Sequence, residues 1–414
     1  MLLALLFAAG ARADDWPQWR GPERDGISPQ TGLLKRWPDA GPRLVWKSDD
    51  AGIGYSAPSI ADGKVFLMGN GAKKEWLVCL DEKTGKQLWA CSTDRVRSGG
   101  GGFPGPRSTP TVAGGRVYAL GLAGRLLACD AKTGQPIWWR NLTKDFGGKE
   151  PPWGYAESVL VDGDRVICTP GLQKTVVALD AKSGREIWAA GAGDPAAYSS
   201  PVKGVFGETP QYVVFTQRGV VGIRAADGAI LWRYDGPSNG QANCPTPVVV
   251  DSTVFAASGY GKGGGCVEIS KDTSGTFTAK ERYFTNRMQN LHGGFVVVGD
   301  FLYGCSDPGM LVCLNYKTGA VAKALRAGRF SIASAEGMLY LRNEEGRVEL
   351  YEASPTTLAR RGSFEQPYRS KLKAWPHPAI ANGRLYLRDQ TVLLCYDITA
   401  EKPKAKPEGE KATP

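Results

Sequence analysis

Eight residues recur at one position of a repeating pattern and carry most of the chemistry open to this sequence. They are Tyr55, Arg107, Ala156, Tyr198, Cys244, His292, Arg329 and Trp375, spaced roughly 45 residues apart. Two residues further along stand Ala57, Thr109, Ser158, Ser200, Thr246, Gly294, Ser331 and His377. The first set is rich in aromatic and cationic groups, and the second is small or hydroxylic. Both histidines of the chain fall in these sets. Guanidinium groups grip anions, and aromatic faces offer flat stacking surfaces. If the repeat brings these positions together, they form a pocket for an anionic or sugar-like ligand, with Tyr55, Arg107, Tyr198, His292, Arg329 and His377 as its residues. A purely structural role fits the same residues, because strands round a narrow axis must be small and aromatics plug channel ends.

Other chemistry finds little support. Two histidines are too few for most His-rich metal sites. There is no Gly-x-Ser-x-Gly elbow and no Gly-x-x-x-x-Gly-Lys phosphate loop. Haem attachment through Cys-x-x-Cys-His and the Asp-x-Asp-x-Asp-Gly calcium loop are also missing. The stretches 99–102 and 261–265 are Gly-rich but open no helix, so both are expected to be flexible loops. Glu157 lies one step from the recurring position. No catalytic residue and no metal ligand is assigned.

The elements that must position these residues are visible in the stretch LLACDAKTGQPIW, Leu126 to Trp138. Copies stand at Leu77–Trp89 and Val176–Trp188, with a looser one at Val221–Trp232. In each, a Trp follows the turn Gly by four residues: Gly85/Trp89, Gly134/Trp138, Gly184/Trp188 and Gly228/Trp232. Asp-x-Lys-Thr-Gly between two apolar runs is a hairpin turn, braced by the Asp and closed by a left-handed Gly. The Trp then offers a large face to whatever packs beside it. Eight such units run from Ser56 to Asp397, the size of four-stranded propeller blades. The last unit lacks its fourth strand, whereas Arg43–Lys47 precedes the first unit as an unpaired strand with Trp46 in the docking position. The expected fold is all-β: an eight-bladed β-propeller of four-stranded antiparallel blades, closed by this N-terminal strand. Unit six keeps the turn but has Lys323 in place of Trp, and units five and seven lack both, so the clasp is expected to weaken after the fourth blade.

Composition bounds the rest. The chain has 414 residues, 42% of them hydrophobic, and a net charge of +10. The basic residues are scattered, with no basic helix or arginine-rich run, so no nucleic-acid partner is expected. Residues 1–13 are an apolar run ending in Ala11-Arg12-Ala13, a secretory signal pattern too short to span a membrane. The mature protein is therefore expected in the periplasm or outside the cell, without a transmembrane segment and as a monomer. Residues 14–40 form an arm whose Trp16, Trp19 and Trp37 need a surface to bury against, residues 41–398 form the propeller, and 399–414 are a disordered tail. Nine cysteines occur without a Cys-x-x-Cys. Cys79, Cys313 and Cys395 share one register and read as core thiols, with a Cys305–Cys313 bridge open in an oxidising compartment.

The Asp-x-Lys-Thr-Gly-x-x-x-Trp repeat resembles the tryptophan-docking motif of the pyrroloquinoline-quinone (PQQ) repeat propellers, over residues 41–398. More narrowly, DWPQWRGPERDGIS, TQRGVVGI, MQNLHGG, LVCLNYKTG and AWPHPAIANGRLYLRDQ resemble secreted bacterial PQQ-like propellers of unassigned activity. The resemblance implies either of two functions, because this architecture carries both quinoprotein dehydrogenases and non-catalytic scaffolds. The family's dehydrogenases use PQQ with calcium, a carboxylate base and usually a vicinal disulfide. This chain has no Cys-Cys pair, so PQQ with calcium is unsupported and no cofactor is expected. One of the family's scaffolds is the outer-membrane-assembly lipoprotein. Asp14 rather than a lipobox Cys follows the cleavage site, so the likeness to it is expected to be of fold only. The leading expectation is a secreted non-catalytic scaffold for protein or polysaccharide partners in the cell envelope. The alternative is a quinone-dependent oxidoreductase or other carbohydrate-active enzyme with its site at the channel mouth.

Overall fold

The second blade shows how the repeat folds. Its strands are Thr111–Ala113, Arg116–Leu120, Arg125–Asp130 and Pro136–Asn141, paired in antiparallel sequence from the inside out. Side chains alternate between the faces of a strand. Here each face meets a different neighbour, so both must be apolar. Val117, Ala119, Leu127 and Cys129 pack into the core shared with blade one. Tyr118, Leu120, Leu126, Ala128 and Trp138 pack into the core shared with blade three. The continuous apolar runs of the sequence are thus two interleaved alternations.

In the computed structural model, which describes residues 14–97 and 100–400, this unit recurs eight times as four-stranded antiparallel sheets. The chain is an eight-bladed β-propeller. The seventh sheet gains a fifth strand, Ile27–Ser28 of the arm, which pairs parallel with Phe330–Ala335. The expected leader, residues 1–13, and residues 401–414 of the expected tail lie outside the described residues.

The Asp-x-Lys-Thr-Gly turns are built from their own side chains. Asp130 Oδ1 accepts bonds from the Lys132 and Thr133 amides at 3.0 and 2.8 Å and from the Thr133 hydroxyl at 2.8 Å. Gly134 sits at φ +73°. A Cβ there would stand 2.5 Å from the Trp89 ring of the preceding blade, so the Gly is required both by conformation and by the close approach of Trp89. The same stacking joins Trp46 to Gly85, Trp138 to Gly184 and Trp188 to Gly228. The indole N–H of three of these rings donates to the next blade: Trp46 to Glu82 O at 2.9 Å, Trp138 to Ala181 O at 3.1 Å and Trp188 to Ala225 O at 3.2 Å.

Trp232 of blade four makes no such clasp, since it lies over Gly222 and donates to Gln211 Oε1 of its own blade at 2.7 Å, but the clasp returns between blades five and six. Blade five has its own turn, with Asp272 Oδ1 accepting from the Ser274 and Thr276 amides, each at 2.9 Å. Its outer strand places Tyr283 against Gly319, and the Tyr283 hydroxyl donates to Tyr316 O at 2.8 Å. Sequence reasoning missed this because the hairpin is longer and tyrosine replaces tryptophan. Nor is 261–265 a flexible loop. Gly263–Lys271 is a strand, and Cβ atoms at Gly264 and Gly265 would run into Phe255 and the Tyr234 hydroxyl. Those glycines let neighbouring aromatics close over the backbone.

Closure follows the expected route. Arg43–Ser48 pairs antiparallel with Val392–Asp397, setting Trp46 opposite Cys395. Arg388, fully buried, reinforces the seam by donating to the carbonyls of Ser56, Met68 and Gly52 at 2.8, 2.6 and 2.8 Å. All nine cysteines are free. Cys305 pairs with Leu311 and Cys313 with Tyr303, so these two cysteines are not cross-strand partners and the Cys305–Cys313 bridge does not form.

Candidate ligand site at the channel mouth

The second set of recurring residues builds the inner wall. Short inner strands round a narrow axis leave backbone N–H groups that no fifth strand satisfies, and hydroxyls of the next blade accept them. The Thr109 amide donates to Ser158 Oγ at 2.8 Å, and the Ser158 amide to Ser200 Oγ at 2.9 Å. These hydroxyls join blades two, three and four, which explains their small size and chemistry.

The arm crosses the axis beneath this wall. The Trp16 amide and carbonyl bond to Ile60 of blade one at 2.9 and 2.8 Å, and the Val112 amide of blade two donates to Pro17 O at 2.8 Å. Arg24 donates to Ser158 O of blade three at 2.6 Å, Trp19 to Thr246 Oγ1 of blade five at 2.8 Å, and Arg20 to Phe295 O of blade six. The three tryptophans thus find their surfaces: Trp16 and Trp37 are buried, and Trp19 lies across the channel with its ring 4.6 Å from His377. Arg20 and Arg24 are buried with no carboxylate in salt-bridge reach among the described residues. Burial lowers both guanidiniums, Arg20 to about 10 and Arg24 to about 9, so both remain cationic at neutral pH.

Above Trp19 opens a cavity of about 280 Å³. It is at the small end for ligand pockets. Tyr55, Arg107, Tyr198, His292 and His377 line it, together with Trp375 from the first recurring set. Phe103 and Trp153 complete the aromatic wall; they arise from loops outside the repeat, so no periodic signal marked them. Tyr55 and Phe103 lie 4.9 and 4.4 Å from the Trp375 ring, and Trp153 lies 5.7 Å from Tyr198. Arg107 is the cation of the wall. It is held by Phe103 O and Gly105 O at 2.9 and 3.1 Å, stands 5.8 Å from the Tyr55 ring, and has no carboxylate partner among the described residues. Burial lowers its pKa.

The two histidines differ. His292 Nε2 lies 3.0 Å from Glu344 Oε1, which also accepts from Trp375 Nε1 at 2.9 Å. Burial would raise Glu344, but these partners and Lys373 outweigh it and bring the carboxyl to about 2. His377 donates from Nε2 to His292 O at 3.0 Å and is held down to about 3 by burial and by Arg20, so its ring is neutral. Arg329 does not line the cavity: it is half-exposed and bonded to Asp307 Oδ1 at 2.7 Å. Glu157 does not line the cavity either: it is buried, and Thr169 N of its own blade donates to it at 2.6 Å.

Comparison with known proteins settles the family. The family model described as outer membrane protein assembly factor BamB matches residues 73–325, more than half of the chain. The chain belongs to this family of PQQ-like repeat propellers. The assembly factor BamB of Moranella endobia (strain PCIT) is 24% identical over 277 residues, covering 62% of the chain and 66% of that protein, just under two thirds of its length. The likeness to the assembly factor is therefore of sequence as well as of fold. The quinohemoprotein alcohol dehydrogenase ADH-IIG of Pseudomonas putida is 31% identical, but over 35% of the chain and 21% of that enzyme. Among solved structures, BamB from Moraxella catarrhalis superposes with a TM-score of 0.58 at 16% identity, over 80% of this chain and 95% of that one. Quinohemoprotein alcohol dehydrogenase from Comamonas testosteroni gives 0.66 at 14% identity, over 97% and 83%. At such identities these likenesses show the fold alone.

The dehydrogenase neighbours raise the question of PQQ and calcium. Calcium takes six to eight oxygen ligands, carboxylates foremost. No Asp, Glu, Asn or Gln lines this PQQ-like propeller's cavity, and no metal-binding cluster occurs among the described residues. The donor set at the mouth does not fit a calcium-bound quinone. Among the described residues no helix is long and apolar enough to cross a membrane.

Proposed function

We propose that this propeller is a non-catalytic binding scaffold of the cell envelope, which grips an anionic or sugar-like group of a protein or polysaccharide partner at its channel mouth. The observation that carries this reading is the cavity itself. It is walled by aromatic rings, floored by Trp19, and holds one cation, Arg107, without a counter-ion among the described residues. A partly buried guanidinium without a carboxylate favours an incoming anion, and flat aromatic faces cover a ring. The buried charges of Arg20 and Arg24 beneath the floor add to the attraction. Membership of the assembly-factor family supports a partner-binding role outside the cytoplasm, and the leader-like residues 1–13 agree with it.

Fluorescence titration tests this, because Trp19, Trp153 and Trp375 report from the cavity. An acidic oligosaccharide (oligogalacturonate), its neutral counterpart cellohexaose and an acidic peptide serve as probes. At least one acidic probe should quench saturably, and Arg107→Gln should weaken it about tenfold, the scale of one charge-assisted bond. His292→Ala should weaken it less. Affinities unchanged in both variants would remove the mouth as the site. A quinone absorbance band retained after loading with PQQ and Ca²⁺ and gel filtration would instead favour the oxidoreductase alternative.

A further inference from the structure

The interface between blades one and two departs from its neighbours in two ways. Trp89 stacks on Gly134 as the other clasps do, but its indole N–H has no acceptor, whereas Trp46, Trp138 and Trp188 each donate to a carbonyl of the next blade. Two residues beyond Trp89, on the outer strand Gln87–Arg95, stands Cys91. Its sulfur lies 3.5 Å from that of Cys129, on the strand Arg125–Asp130 of blade two. No other pair of thiols among the described residues is in contact. Both side chains are buried in one apolar cluster with Cys79, Val117 and Leu127. Disulfide sulfurs sit about 2.05 Å apart, so bonding needs a rotation and a small approach rather than a refolded strand.

We propose that Cys91 and Cys129 are an oxidation site, joined as an interblade disulfide that takes the place of the missing Trp89 bond. The co-substrate is a disulfide of the oxidising compartment, such as the active-site disulfide of a thiol–disulfide oxidoreductase or glutathione disulfide. Cys91, as thiolate, attacks one sulfur of that disulfide and releases one thiol. The Cys129 thiol loses its proton and displaces the second thiol from the mixed disulfide. Two protein thiols and one external disulfide thus become one protein disulfide and two external thiols. The division of labour follows from position. Cys91 lies on the outer strand beside exposed Ala90, and it accepts the Cys129 S–H bond, which with Arg125 lowers its pKa. Burial pushes other core thiols up, Cys79 and Cys395 to about 12, so they are poor nucleophiles.

The test uses the full chain, reduced, refolded in a glutathione and glutathione disulfide buffer, then denatured and alkylated. Two of the nine thiols should escape alkylation, and peptides holding Cys91 and Cys129 should be recovered cross-linked. The oxidised protein should melt several degrees above the dithiothreitol-treated one, and Cys129→Ser should abolish both the cross-link and that difference. Alkylation of all nine thiols, or a bond formed by any other pair, overturns the proposal. Peptide mapping of the wild-type chain decides this even if the variant does not fold. Because it reads thiols and not ligand, the outcome is independent of the mouth cavity.

Discussion

Glu157 carries a cost that its neighbours only partly offset. Its carboxyl is fully buried, and burial raises it from 4.5 to about 7 despite the Thr169 bonds and the nearby Arg24. A carboxyl raised in the folded state binds its proton more tightly there than in the unfolded chain. Its contribution to stability is therefore full below pH 4.5, declines as pH rises towards 7, and is gone above it. The span is on the order of 3 kcal/mol, at 1.36 kcal/mol per pH unit. Glu157→Gln should flatten this decline, so urea unfolding at pH 5 and pH 8 should differ less in the variant than in the wild type. At the same scale, Arg107 was legible from the repeat register, since it stands at a recurring inner position and has no carboxylate within salt-bridge reach among the described residues to draw it away. Arg329 held the same register and yet turns away, because Asp307 offers it a carboxylate. A side chain's choice between cavity and ion pair is not written in its spacing.

In blades one to four and in blade six the hairpin glycine fits the preceding blade's aromatic. Gly134 and Gly147 both sit at positive φ, +73° and +69°. A Cβ at Gly147 meets nothing within 4 Å, while one at Gly134 meets Trp89 at 2.5 Å. Gly134→Ala should therefore lower the melting temperature clearly more than Gly147→Ala, which carries backbone strain alone. Tyr283→Ala should destabilise in the same direction as loss of a clasp tryptophan, but by about 2–3 kcal/mol, below the range for a fully buried aromatic because Tyr283 is only partly buried, with chemical denaturation as the measure. A cost near zero would mean that blade five is held by other contacts. The four tryptophan turns were readable because Gly and Trp keep one fixed offset in all four, with Asp at a fixed place in the first three. The fifth was not, since each hairpin arm is four residues longer, Tyr283 following Gly275 by eight residues instead of four, and a Tyr replaces the Trp while preserving the packing.

At the scale of the whole molecule, the ring closes at one seam. The strand Arg43–Ser48 completes blade eight and sends Trp46 across the seam to blade one, where Arg388 adds its buried bonds. Deleting residues 41–48 removes a paired strand, a clasp and the cover of an apolar edge at once. The deletion protein should lose its cooperative thermal transition, followed by circular dichroism, and a melt like that of the full chain would contradict this role. The arm acts at the same scale. By crossing from blade one to blade seven it turns an open channel into a floored cavity.

What the sequence by itself determined is the repeat: the eight units, the antiparallel blades, the closing strand and the recurring positions that face the axis. These rest on local periodicity, in which turn residues and alternating apolar positions report directly on neighbouring backbone. Only the tertiary structure decided that Trp19 would floor the cavity, that Phe103 and Trp153 would wall it, that Arg329 would leave it, and that Cys91 would meet Cys129. These contacts join segments far apart in the chain, most of them loops without a repeat. Such meetings depend on the angle between blades and on competing partners, and neither is encoded in the spacing of residues along the chain.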